Sequence, residues 1–281
     1  MGAPGRRGTG KVYLIGAGPG DVELLTLKAV RALGAADVVL IDALVNREVL
    51  QFTPPDARVI EVGKRGGCKS TPQAFIERRM VHEAKDGQVV ARVKGGDPFI
   101  FGRGGEEMQA LLAAGIEVEV IYGITAGIAV PAALGIPVTH RDFSHGVTLV
   151  TGHTRLSGAI DWSALVKSKT TLVIYMGVGN LATIVDALCS AGMSPQTPAC
   201  VIQDGTLMSQ LSVVDTLEGL CAAVAVAGVE SPAIIVVGEV VRLARQPALQ
   251  GQARSAAWRF RATRNGGFDV STHTRWFIEI R

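Results

Sequence analysis

Residues 12–33 read VYLIGAGPGDVELLTLKAVRAL. Four apolar residues of strand character run into a turn with glycine at 16, 18 and 20, and an Ala/Leu-rich segment from about 24 to 33 then repeats at helical spacing until Gly34. A strand feeding a helix through a glycine turn is the unit of a parallel sheet covered on its faces. The same alternation continues outward. Strands are expected at 38–41, 59–62, 89–93 and 118–122. Helices are expected from Ser70-Thr71-Pro72 to about Lys85, with Pro72 in the first turn, and over 105–114. A short Ala-rich helix stops at Gly135-Ile136-Pro137. The polar stretch 137–146, with His140, Arg141, Asp142 and His145, reads as a hinge. Beyond it come strands 147–150, 171–175, 199–203, 211–214 and 233–237, and helices 181–189 and 217–227. The fold class is therefore α/β, in two domains, 11–137 and 146–245. Residues 1–10 are expected to be a disordered tail and 246–281 an irregular one.

Composition narrows the function. With 281 residues, 48% hydrophobic and 19% charged, the chain can bury full cores and is not a disordered protein. Its most apolar stretch, 124–138, is broken by Thr125, Gly127, Pro131, Gly135 and Pro137, so no membrane span is expected. The first residues lack the apolar core of a secretory signal. Cys68, Cys189, Cys200 and Cys221 have no CxxC spacing and the five histidines form no HExxH, so no metal site is expected and the thiols read as free. A net charge of +3 is too small to imply nucleic acid.

Three loops follow predicted strands and so share the carboxyl edge where α/β sheets bind ligands. The first, 16–21, has the wrong spacing for GxGxxG, and Pro19 lacks the N–H a pyrophosphate would use. Asp42 nevertheless lies 22 residues after Gly20, where a dinucleotide enzyme keeps its ribose-binding acid, so a nucleotide-binding domain is one open reading. The second, KGGDPFIFGRGGE at 94–106, is too rich in Gly, Pro and Asp for a simple turn. Asp97 and the backbone could hold a polar ligand while Arg103 opens the next helix into a cleft; alternatively Arg103 and Glu106 are only a solvated pair. The third, Gly123-Ile124-Thr125-Ala126-Gly127, could be a plain connection. Lys64 and Arg65 in GKRGG, and Arg141 in THR, place cations on loops, where they meet anions more often than on helix faces.

Together, GAGPGD, DALV, GKRGG with STPQ, VKGGDPFIFGRGGEE, GITAGIAVPAALGIPVTHRD, VTGH, YMG and QDGT resemble, in this order, the tetrapyrrole methylase family over residues 11–245. The resemblance implies two α/β domains with the active-site cleft between them, a homodimer in the cytoplasm, and S-adenosylmethionine bound in folded form. It implies C-methylation of uroporphyrinogen III on rings A and B to give precorrin-2, in sirohaem, cobalamin or haem d1 synthesis. The cofactor is expected at Pro19, Gly95, Gly96, Asp97, Ile100, Thr125, Ala126, Met176 and Gly205. The substrate is expected at Leu44, Phe101, Arg103, Glu106, Arg141 and Met176. Asp42 and Lys64 are the implied proton acceptor and donor, with Arg103 the third residue of the catalytic set, as a cation and not a base, since a guanidinium is never free base at neutral pH. Lys69 stands where relatives often have His, and the 246–281 tail has no family counterpart. No dehydrogenase–chelatase module precedes the methylase blocks, so the stand-alone form is expected. The alternatives are a sister methylase of a later corrin intermediate, a diphthamide or ribosomal-RNA methylase of the same fold, a nicotinamide-dependent oxidoreductase, or a non-enzymatic nucleotide-binding module.

Overall fold

The computed structural model describes residues 9–63, 71–152, 160–245, 260–262 and 268–270. β1 (Lys11–Gly16), β2 (Val38–Ile41), β3 (Arg58–Glu61), β4 (Val89–Lys94) and β5 (Glu117–Ile121) form a sheet in the order β3-β2-β4-β1-β5, all parallel. Successive apolar residues serve opposite faces, as a doubly covered sheet requires. Ile15, Val39, Ile41 and Val93 pack under α1 (Leu27–Gly34). Leu14, Leu40 and Val90 pack under α2 (Gln73–Lys85) and α3 (Gly104–Ala113) through Ile76, Met80 and Leu111. From β1 the chain steps to β2 and β3, returns to β4, and then crosses to β5. The carboxyl ends of β4, β1 and β5 are thus neighbours where strand order reverses.

Two helix starts differ from expectation. α1 begins at Leu27 because the Thr26 hydroxyl accepts from the Ala29 amide (3.1 Å), leaving Val22–Leu24 as a separate 3-10 turn capped by Asp21. α2 begins at Gln73, with Pro72 at the cap position in an extended conformation; Ser70 lies outside the described residues.

The second sheet comprises β6 (Val147–Thr151), β7 (Thr171–Tyr175), β8 (Pro198–Gln203), β9 (Leu211–Thr216) and β10 (Ala233–Val237), in the order β6-β7-β10-β8-β9. It corrects the expectation of parallel pairing: only β6 and β7 are parallel, and every other neighbouring pair is antiparallel. Residues 204–210 are too few for a crossover, so β8 and β9 close as a hairpin. β10 inserts between β7 and β8, against both. The carboxyl ends of β6, β7 and β8 consequently share one edge.

α5 (Trp162–Lys167), α6 (Leu181–Ser190) and α7 (Leu217–Ala227) cover one face, packing on Leu172, Ile174, Val201 and Ile235. α5 had no sequence expectation; Asp161 caps it by accepting from the Ala164 amide at 2.9 Å. The opposite face is covered by α4 (Ala126–Ala133), whose Val130 packs, with Leu134 and Ile136, on Val173, Ile202 and Val236. The helix that follows the first sheet thus completes the core of the second. β11 (Phe260–Ala262) and β12 (Phe268–Val270) form an antiparallel pair, and β11 passes close to the 3-10 turn Arg47–Phe52. Among the described residues no helix is long and apolar enough to cross a membrane.

Candidate functional site

Three glycine loops meet at the reversal of the first sheet. Gly18 and Gly96 exchange backbone hydrogen bonds (3.1 and 2.7 Å), and the Ala17 amide donates to the Lys94 carbonyl at 2.8 Å. A Cβ at Gly123 would lie 2.1 Å from the Gly96 carbonyl oxygen, and one at Gly16 would lie 2.5 Å from the Gly123 nitrogen. Only glycine lets these backbones touch. Gly96 has φ +66°, and Thr125 and Ala126 lie just beyond it. Asp97 binds the junction together: Oδ2 accepts from the Gly123 amide (3.2 Å) and Oδ1 from the Phe99 amide (2.8 Å). Pro19 follows Gly18 directly, and Leu44 packs beside Gly95.

The second domain closes over this junction. The Asp21 amide donates to the Thr206 hydroxyl at 3.0 Å, and Gly20 leaves no room for a Cβ against Leu207. Gly205 abuts Val130 of α4, 2.3 Å from where its Cβ would be. The Tyr175 hydroxyl, from the end of β7, accepts from the Gly127 amide (2.7 Å) and shares a hydrogen bond with the buried Thr125 (2.6 Å). Its ring packs on Phe101 with centroids 4.8 Å apart. Burial raises the Tyr175 pKa, against the opposing hydrogen bonds from Thr125 and Gly127, so the phenol stays protonated.

Backbone strain concentrates here. Six described non-glycine residues have positive φ, and five of them, Phe101, Arg103, Met176, Asp204 and Thr206, lie in the loops after β4, β7 and β8. Such conformations each cost roughly 1–3 kcal/mol and persist where surrounding contacts impose them, characteristically at ligand sites. Around the junction Leu44, Ile100, Phe101 and Met176 remain exposed.

Arg103, the left-handed residue that opens α3, pairs with Glu106 one turn on: Nε to Oε1 is 3.0 Å, and a second guanidinium nitrogen reaches Oε2. Hydrogen bonding with Glu106 raises the Arg103 pKa and lowers that of Glu106. Both side chains are about half exposed (54% and 53%), so the pair contributes on the order of 0–1 kcal/mol and is easily opened by a competing carboxylate. Arg141 is exposed, in a hollow of about 320 Å³ shared with Thr139, His140, Ser144 and His145. Lys64 lies outside the described residues.

Asp42 directly follows β2, its amide donating to the Val93 carbonyl of β4 at 3.1 Å. Its Oδ1 accepts from Arg92 (2.8 Å) and its Oδ2 is 3.7 Å from the Lys94 ammonium. The carboxylate thus rests against two buried cations while staying partly exposed. Arg92 and Lys94 also hold the buried Glu107, at 3.1 and 3.2 Å. Arg92, Lys94 and Glu107 of this cluster, with Tyr175 and Thr206, were missed as site residues. The visible signal was two cations two apart inside the apolar run VVARVK.

The model of the tetrapyrrole (corrin/porphyrin) methylases matches residues 11–221. The chain belongs to this family. A uroporphyrinogen-III C-methyltransferase of Pseudomonas aeruginosa is 53% identical over 234 residues, 83% of this chain and 95% of that protein. The structure of a uroporphyrin-III C-methyltransferase of Thermus thermophilus complexed with S-adenyl homocysteine superposes with a TM-score of 0.71 at 40% identity, covering 83% of this chain and all of that one. A cobalt precorrin-4 methyltransferase structure gives a TM-score of 0.74 at only 29% identity, covering 82% and 95%. The backbone is therefore shared by methyltransferases named for different tetrapyrroles.

Proposed function

We propose that the protein is an S-adenosylmethionine-dependent C-methyltransferase that methylates uroporphyrinogen III on rings A and B, giving precorrin-2 and S-adenosylhomocysteine. The observation that carries this reading is the junction of the loops after β1, β4 and β5 under the strained residues after β7 and β8, in a chain 53% identical to a protein of that name. The folded sulfonium cofactor is assigned to the backbone of Pro19, Gly95, Gly96, Ala126 and Gly205 with Asp97, Ile100, Thr125 and Met176; the close backbone approach of Gly16, Gly18, Gly96 and Gly123 supports that seat. Bound there, it supplies a methyl group already activated for transfer.

The chain's own residues align and discharge. Phe101, Leu44 and Met176 present apolar surface to the macrocycle, while Arg103, released from Glu106, and Arg141 pair with its carboxylates. As the methyl–sulfur bond breaks and a carbon–carbon bond forms, positive charge develops on the tetrapyrrole and is lost as a proton from a bridging carbon. Asp42, held by Arg92, is the acceptor of that proton, and Lys64 is the donor in a separate tautomerisation, in which one proton is added to the macrocycle and another leaves it. Arg103 remains a cation throughout. The active form is a homodimer in the cytoplasm, serving sirohaem, cobalamin or haem d1 synthesis. Anaerobic incubation with uroporphyrinogen III and methyl-labelled S-adenosylmethionine tests the reading. Two labels per tetrapyrrole are expected; none, or transfer only to a later corrin intermediate, overturns it.

A further inference from the structure

We infer that Glu107, in the first turn of α3, is the positioning residue of the Asp42 carboxylate, acting on it through Arg92 and Lys94. This rests on the reading of Asp42 as proton acceptor.

Glu107 is 0% exposed, Arg92 1% and Lys94 4%, an unusual set of charges for the inside of a sheet domain. Buried ion pairs rarely stabilise a fold more than apolar side chains of the same volume would, so stability does not explain them. The geometry does. A single oxygen of Glu107, Oε1, accepts from Arg92 Nε, Lys94 Nζ and Gln73 Nε2, at 3.1, 3.2 and 3.1 Å. Arg92 spends one remaining arm on the Val93 carbonyl (3.3 Å) and the other on Asp42. Of the four charged members only Asp42 reaches solvent, at 26%, in a hollow of about 130 Å³ also lined by Arg47 and Glu61. The cluster is a bracket with its root in the core and its tip in the site.

It is also a charge balance, with two cations, Arg92 and Lys94, against two carboxylates. The groups facing Asp42 are Arg92 and Lys94 from β4, Glu107 behind them on α3 with the Gln73 amide of α2, and Arg47 and Glu61 across the hollow. Burial and Arg92 depress the Lys94 pKa, while Glu107 and Asp42 oppose them. Neutralising Glu107 leaves Asp42 facing an excess positive charge and favours its ionised form. Removing the Lys94 charge does the opposite.

The test uses the full chain with Glu107→Gln and Lys94→Met. It reads the acid limb of kcat for methyl transfer to uroporphyrinogen III, with S-adenosylhomocysteine binding as the control for folding. The limb is expected to move on the order of one pH unit down in Glu107→Gln and up in Lys94→Met, with cofactor affinity unchanged. A purely structural role would not drive the two limbs in opposite directions. Limbs that stay put, or move together, overturn the inference. Should Glu107→Gln fail to fold, Lys94→Met and Glu107→Asp decide it: the first by its upward shift, the second by restoring the wild-type limb. Asp42→Asn separates the two claims. If it abolishes transfer while the limbs do not move, the inference alone fails; if it retains full activity, the acceptor reading fails and the inference with it.

Discussion

The first domain buries Arg92, Lys94, Glu107 and Glu83 alongside its aliphatic side chains, whereas the second buries Leu172, Ile174, Val201 and Ile235 and, among the described residues, no charged group. Both sheets are five-stranded, both are covered on two faces, and both contribute loops to the same site. The first domain carries charge to the site from within its own core. The second supplies a rigid wall, held to the first by Tyr175, Thr206 and α4. Arg92, Lys94 and Glu107 lead to the site, the buried Glu83 of α2 is held by Arg58 and Arg79, and the wall, with no charged group to place, packs as hydrocarbon.

Gly123→Ala is the most severe way to break that comparison. Its Cβ would strike backbone on two sides, the Gly96 carbonyl oxygen at 2.1 Å and the Gly16 Cα at 2.8 Å, so no side chain can swing clear. Calorimetry with S-adenosylhomocysteine should show binding lost. Gly205→Ala, opposed by the Val130 side chain, should be milder. Equal and mild effects would mean that the junction is not the seat.

Arg92→Met and Leu188→Ala set the two cores against each other. Removing Arg92 strands two carboxylates and is expected to cost about 3–5 kcal/mol in urea denaturation. Truncating the fully buried Leu188 should cost a comparable amount, about 2–5 kcal/mol, through the cavity it leaves. Activity divides them: per folded molecule, methyl transfer should fall with Arg92→Met and persist with Leu188→Ala. Loss in both would erase the distinction between chemistry and wall.

Tyr175→Phe probes the join. The Gly127 amide and the Thr125 hydroxyl lose a shared partner, which should lower stability by about 1–2 kcal/mol and weaken S-adenosylhomocysteine binding several-fold. Unchanged binding would show the two domains to be independent at this point. Arg103→Ala should disturb the fold least, by under about 1 kcal/mol, because its ion pair is half exposed. Steady-state kinetics should still show the KM for the tetrapyrrole rising about tenfold or more with cofactor binding intact.

The site's glycine loops were legible because close backbone approach admits so few residues: GAGPGD, KGGDP and GITAG announce it locally. The role of Tyr175 was not. Fifty positions separate it from Thr125, and its hydroxyl meets that residue only because α4 packs across the second sheet. Arg92 and Lys94 were visible as charges in an apolar strand, but their common partner, Glu107, belongs to a helix whose first turn would carry acids for dipole reasons alone.

From the amino acids in order one could read the alternation of strands and helices, the position of each glycine bend and the family likeness, since all of these depend on neighbours within a turn or a pleat. Only folding decided that the second sheet is largely antiparallel, that α4 serves the sheet after it and not the one before, and that Asp42 rests on a buried bracket of charges. Those outcomes depend on which distant surfaces exclude water together and which buried ions find partners, and neither is a local property of the chain.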